Sequence, residues 1–142
     1  MKQIKLLLMV AVVAFVGCGR SDLPELGEVH GTVTLDGAPL PNAIVNFTPK
    51  EAGRPSSGET DENGNYTLLY LVDVPGALVG EHTVLIEPVI TADMDDYDPD
   101  DPESGGAPPP VYPASASDGS IVETVSAGDN EINIPLISGE SE

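Results

Sequence analysis

Between Glu28 and Leu35 the side chains alternate without a break. Val29, Gly31, Val33 and Leu35 fall on one side, and Glu28, His30, Thr32 and Thr34 on the other. A period of two is that of a pleated strand with one buried face, and no helix keeps it. Asp36-Gly37 follows at once, and this pair suits a tight hairpin turn. Pro39 and Pro41 then prevent the ladder from continuing. The pattern recurs down the chain. Ala43, Val45 and Phe47 alternate with Ile44, Asn46 and Thr48, Asn63-Gly64 marks a turn, and Tyr66 to Tyr70 forms a third run. Pro75-Gly76 breaks the chain, and His82, Val84 and Ile86 then alternate with Glu81, Thr83 and Glu87. Ile121 to Val125 reads as a strand with an ambiguous inward face, and Ile132, Ile134 and Leu136 share one side of the last run. Lys50 to Glu59 reads as loop, and residues 88–120 show no comparable pattern. Short strands separated by turn signals predict a β-sandwich.

Several of these stretches resemble a known family. Val29 to Ala43 (VHGTVTLDGAPLPNA), Thr60 to Leu68 (TDENGNYTL), and Pro75-Gly76-Ala77 with Gly80 to Val84 look like three successive hallmarks of carboxypeptidase regulatory-like domains. The resemblance spans roughly residues 28–136 and implies the transthyretin-like, or prealbumin-like, sandwich. It implies no particular activity, because such domains serve as accessory modules, stalk repeats and stand-alone lipoproteins. His82 stands where the family more often has an aromatic residue, and its place on the apolar face predicts a partly buried packing residue rather than a ligand. The hallmarks also have local physical roles. Gly31 lets a neighbouring group approach the strand, and Asp61 can accept hydrogen bonds from amides of its own turn.

The N-terminus carries an address. Lys2 and Lys5 precede an unbroken apolar run of eleven residues, Leu6 to Val16, and then come Gly17 and Cys18. A basic start, an apolar stretch too short to span a bilayer and a small-residue cleavage site make a signal peptide. Phe15-Val16-Gly17-Cys18 resembles the bacterial lipobox, with Phe15 in place of the usual Leu. That resemblance implies diacylglycerol on the Cys18 thiol, cleavage just before it, and fatty acyl chains such as palmitate in the membrane. The alternative is an ordinary secretory signal with an incidental cysteine. Cys18 is the only cysteine, which excludes an internal disulfide. Gly19, rather than Asp, follows it, and the resemblance then favours the outer membrane. Gly19 to Gly27 can extend at most about 30 Å, so the domain is expected close to the membrane.

Charge narrows the partners. The precursor carries a net charge of −19, and removal of the two leader lysines leaves −21. Such a surface repels nucleic acid and bare anionic lipid. Asp93, Asp95, Asp96, Asp98, Asp100, Asp101 and Glu103 place seven acids in eleven positions. Clustered carboxylates suit Ca²⁺, and Asp93, Asp95, Asp96 and Asp98 are the candidate ligands. The spacing is not that of an EF-hand, and a solvated, self-repelling loop has the same composition. Two histidines on separate strands without a cysteine partner do not compose a zinc site. No nucleophile elbow is present, and no catalytic residue is assigned. Asn46-Phe47-Thr48 and Asn65-Tyr66-Thr67 match glycosylation sequons but lie inside strand or turn patterns behind a bacterial leader.

The expected molecule is a small seven-stranded Greek-key β-sandwich of prealbumin-like type behind a cleaved apolar signal helix. Residues 1–17 are the leader, 18–27 a short tether and 28–137 the sandwich. An acidic Pro/Gly-rich insertion occupies 89–119, anchored by Val111 and Tyr112, and 138–142 form a tail. The expected role is a non-catalytic envelope module, held to the membrane through Cys18, that binds a protein or glycan partner. The alternative is Ca²⁺ binding, or Ca²⁺-dependent adhesion, through the acidic loop 93–103.

Overall fold

A computed structural model describes residues 23–90, 98–101, 103, 106 and 110–139. The apolar leader, the lipobox and Cys18 lie outside the described residues. Twelve strand segments follow one another: β1 (Leu26–Leu35), β2 (Ala38–Pro39), β3 (Ala43–Pro49), β4 (Ser56–Glu59), β5 (Asn65–Thr67), β6 (Leu69–Leu71), β7 (Val74–Pro75), β8 (Ala77–Leu78), β9 (Gly80–Pro88), β10 (Val122–Val125), β11 (Gly128–Glu131) and β12 (Ile134–Leu136). Only Leu68 separates β5 from β6, and only Ile132 and Asn133 separate β11 from β12. With the two-residue bridges β2, β7 and β8 set aside, seven continuous runs remain.

The runs form two facing sheets. Both have six strands; one has the order β10-β9-β3-β4-β6-β7 and is antiparallel throughout. Within it, β9 returns to lie beside β3 after β4 and β6 have extended the other side, which is the Greek-key order. The other sheet is built on β1. On one side β2, β5 and β8 pair with β1 antiparallel, and on the other β11 and β12 pair with it parallel. The chain changes sheets at Leu68, whose amide donates to the Val29 carbonyl while its own carbonyl accepts from Gly76.

The alternation in the sequence matches the burial. Val33, Val45, Phe47, Tyr66, Leu68, Val84, Ile86, Ile132 and Ile134 all lie in the core between the sheets. Val125 faces inward too, which resolves the face of β10. Asp36 (φ 52°) and Gly37 (φ 84°) both take positive φ in the turn between β1 and β2, the left-handed pair that a two-residue hairpin needs. Gly31 is required for a different reason. A Cβ there would lie 1.8 Å from the Ile132 carbonyl oxygen, which accepts the Tyr66 hydroxyl at 2.7 Å. Asp61 Oδ1 accepts from the Asn65 and Asn63 amides at 2.9 and 2.8 Å, and these bonds hold its carboxyl below the usual range.

Three expectations are corrected. Lys50 to Glu59 is not all loop, because β4 pairs with β3 from Ile44↔Glu59 to Phe47↔Ser56. The backbone register sets this pairing, and the side chains of Ser56, Ser57, Gly58 and Glu59 do not advertise it. Strand β1 begins at Leu26, inside the stretch read as tether, because Leu26 and Gly27 pair with β8. His82 is fully buried rather than partly so. Its ring lies 5.7 Å from that of Phe47, and its Nε2–H donates to the Leu78 carbonyl at 2.7 Å.

Candidate functional site

An apolar cleft opens where the insertion leaves and rejoins the sandwich. Strand β10 pairs with β9 only as far as Val122↔Thr83, and the Val84 amide then donates to the Ile121 carbonyl. Past that point the free edge of β9 is covered by residues 110–121. Pro113 starts a single 3-10 turn, Ala114–Ala116, that lies against β9. Ala116 is small enough to be buried completely beneath this edge. Between the turn and the sheet remains a cavity of about 590 Å³. It is lined chiefly by Ile44, Ile86, Pro88, Ile90, Pro110, Tyr112, Pro113 and Ala116, with Glu87 and Ser117 beside them. That volume is in the range of pockets that take a small molecule or an anchoring side chain. Tyr112 packs against the core, and its hydroxyl is shielded from water with no hydrogen-bond partner among the described residues. Burial pushes the Tyr112 phenol up. The hydroxyl is thus a buried neutral polar group beside a cleft whose polar lining includes Glu87 and Ser117.

The anchor expected at Val111 is not there, since Val111 is 86% exposed. Tyr112, Pro113 and Ala116 take that role: Tyr112 packs against the core, and Pro113 and Ala116 are buried at the start and end of the 3-10 turn. The only sequence signal for Ala116 was a run of small residues after a proline.

Of the candidate metal ligands, Asp93, Asp95 and Asp96 lie outside the described residues. Asp98 is exposed, and its Oδ1 accepts from the Asp100 amide at 2.9 Å. Asp101 Oδ1 accepts in the same way from the Glu103 amide at 2.9 Å. Among the described residues no three His, Cys, Asp or Glu side chains gather within reach of one metal ion.

A second, polar hollow of about 350 Å³ lies on the sheet built on β1. His30, Thr32, Asn65, Thr67, Glu131 and Asn133 border it. Several of its groups are already hydrogen-bonded. His30 Nε2–H donates to Asp129 at 2.9 Å, Thr32 Oγ1 donates to Asn65 at 2.9 Å, and Asn133 Nδ2 donates to Glu131 at 3.2 Å. Exposed pairs of this kind contribute little to stability.

The described residues therefore define an all-β Greek-key sandwich with an apolar cleft at the base of an acidic insertion. No protein-family model matches the chain, and no curated protein matches it. Among solved structures it is similar to a DUF3823 family protein from Parabacteroides merdae, with 14% sequence identity and a TM-score of 0.43 over 80% of this chain and 47% of that one. The chain thus spans about half the length of that structure.

Proposed function

We propose that this protein is a lipoprotein of the bacterial cell envelope, anchored through Cys18 in the outer membrane, with a sandwich of carboxypeptidase regulatory-like type. In this reading the sandwich is a non-catalytic binding module, and its apolar cleft takes an apolar segment of a partner protein. The observation that carries the reading is the separation of the two ends. Leu26 pairs with Leu78, and the Val79 amide donates to the Glu25 carbonyl, so β9 starts beside the tether. From Gly80 to Pro88 it then runs about 26 Å, at roughly 3.3 Å per residue. The insertion and the cleft begin at that far end, where Pro88 pairs with Ala43. Lipid on Cys18 would hold one end at the bilayer and turn the cleft away from it. The lining favours an apolar protein segment over a sugar, which would need several polar groups and a flat aromatic face.

Two measurements test the reading. The native chain should incorporate labelled palmitate and fractionate with membranes, whereas Cys18→Ser should be unlabelled and soluble. A labelled, membrane-bound Cys18→Ser protein refutes the anchor. A photo-crosslinking residue placed at Ile90 should trap an envelope protein in cells, and one placed at Asn65 should not. Equal yields from the two positions refute the cleft as the binding site.

A further inference from the structure

The end of the sandwich beside the tether has a character of its own. The strand register gathers three features there besides the start of β1. One is the crossing from β8 to β9. Another is the loop between β3 and β4, where the Lys50 amide donates to the Glu81 carbonyl and Gly53 packs against Leu78. The third is the β6–β7 turn at Val72 and Asp73, since β6 runs toward this end from its pairing at Ser57↔Leu69. Four large apolar residues are exposed in this region: Val72 at 87%, Leu69 at 45%, Leu23 at 42% and Val79 at 40%. Asp73 holds the turn beneath Val72 with φ 64°, so the most exposed of the four sits at a hairpin tip. Arg54 borders a shallow hollow of about 280 Å³ with Pro55, Leu69, Tyr70, Leu71 and Val72.

The basic residues point the same way. After the leader the chain contains only Arg20, Lys50 and Arg54, and none follows Arg54. Lys50 and Arg54 flank the loop at this end, and Arg20 precedes Leu23 in the tether. Glu25, Glu51, Asp73 and Glu81 share the region, so it is not a polybasic patch. It instead combines apolar tips with an arginine whose stem can lie along apolar surface while its guanidinium meets an anionic group.

We propose that this end is a lipid-contacting foot: Val72, Leu69 and Val79 enter the headgroup region of the anchoring membrane, and Arg54 meets lipid phosphate. The inference rests on the lipoprotein reading. Leu23 lies five positions after Cys18, a reach of at most about 18 Å. The anchor therefore holds the foot at high local concentration against the bilayer, and a contact too weak to bind on its own suffices. The foot fixes the tilt of the sandwich and keeps the far cleft directed outward.

The chain has no tryptophan, so a single introduced one reports its own surroundings. Val72→Trp, with Leu69→Trp as a second reporter, would be placed in the full lipidated protein. Ile90→Trp serves as the far-end control. Each is reconstituted in phosphatidylethanolamine–phosphatidylglycerol vesicles carrying nitroxide-labelled lipid, and the fold is checked by circular dichroism. Near-end emission should shift to the blue and lose most of its intensity to the nitroxide, while Ile90→Trp emission stays unchanged. Adding Arg54→Glu should restore much of the lost intensity. If the protein floats with the vesicles but near-end and far-end reporters are equally unquenched, the foot is overturned and the anchor stands. If it does not float, the anchor fails and the foot with it. A blue shift that depends on protein concentration and ignores the nitroxide shows a contact between copies and also overturns the foot.

Discussion

Truncating Phe47 to alanine tests the register on which the core depends. Phe47 is fully buried, and it is the only phenylalanine after the leader. Its ring centroid lies 6.4 Å from that of Tyr66 and 5.7 Å from that of His82, so it bridges the sheets where few other large groups are available. Phe47→Ala forfeits the buried ring and leaves a cavity that β-branched neighbours cannot collapse to fill, at a cost of about 3–5 kcal/mol. A domain of this size has a total stability of roughly 5–15 kcal/mol. Urea unfolding of the soluble Cys18→Ser form, followed by far-ultraviolet circular dichroism, would measure the loss. With a denaturant slope of about 1.5 kcal/mol/M, the midpoint should fall by about 2–3 M. Thr48→Ala, at the exposed neighbouring position, should change stability by less than about 0.5 kcal/mol. A Phe47→Ala loss below about 1 kcal/mol, or a Thr48→Ala loss of similar size, would refute the register, because a one-residue slip exchanges the two faces.

Tyr66→Phe removes the hydroxyl that donates to the buried Ile132 carbonyl, and should cost about 1–3 kcal/mol. Burial, and then the Glu123 charge, push the Tyr66 phenol far up. Folding therefore favours its protonated form, a contribution intact below about pH 10 and lost as pH rises further. Thermal melts above pH 10 should thus show a shallower loss of stability for Tyr66→Phe than for the native chain, and parallel curves would refute this. Gly31→Ala drives a methyl group into the Ile132 carbonyl. It should cost at least about 3 kcal/mol by the same urea assay, and a neutral result would show that β1 and the last run lie farther apart. Deleting Asp93 to Gly106 should leave the circular dichroism spectrum and midpoint nearly unchanged while abolishing any calorimetric response to Ca²⁺. Retention of a Ca²⁺ response would place the site outside the acidic loop.

The sequence exposed the fold wherever apolar and polar side chains differ sharply along a strand. Val29 to Leu35, Ala43 to Phe47 and His82 to Ile86 could be read directly for this reason. Strand β4 was hidden because Ser56 to Glu59 offers small and polar side chains whose faces look alike, and its position follows from hydrogen bonds to β3. His82 was placed on the correct face, but its complete burial depends on the Leu78 carbonyl that accepts its proton. The cleft was not legible at all. Ile44, Ile86, Ile90, Tyr112 and Ala116 are far apart in the chain, and each alone looks like a strand, loop or turn residue. The acidic insertion stood out by composition, yet composition did not reveal the cleft at its base.

The parallel pairing of β1 with β11 and β12 has a consequence for how the molecule is made. The first strand of the domain is completed by the last, as in Val29↔Asn130 and Val33↔Ile134, across about a hundred residues. Ser138 closes the arrangement by donating from its amide and hydroxyl to the Asp36 carboxylate at 2.9 and 2.6 Å. Contacts of such sequence separation form slowly, because a long loop must close before they can stabilise anything. Until residue 136 has emerged, one edge of β1 stays bare and open to pairing with other chains. The domain therefore stays unfinished until β12 has been made. The domain locks only when its final strand arrives.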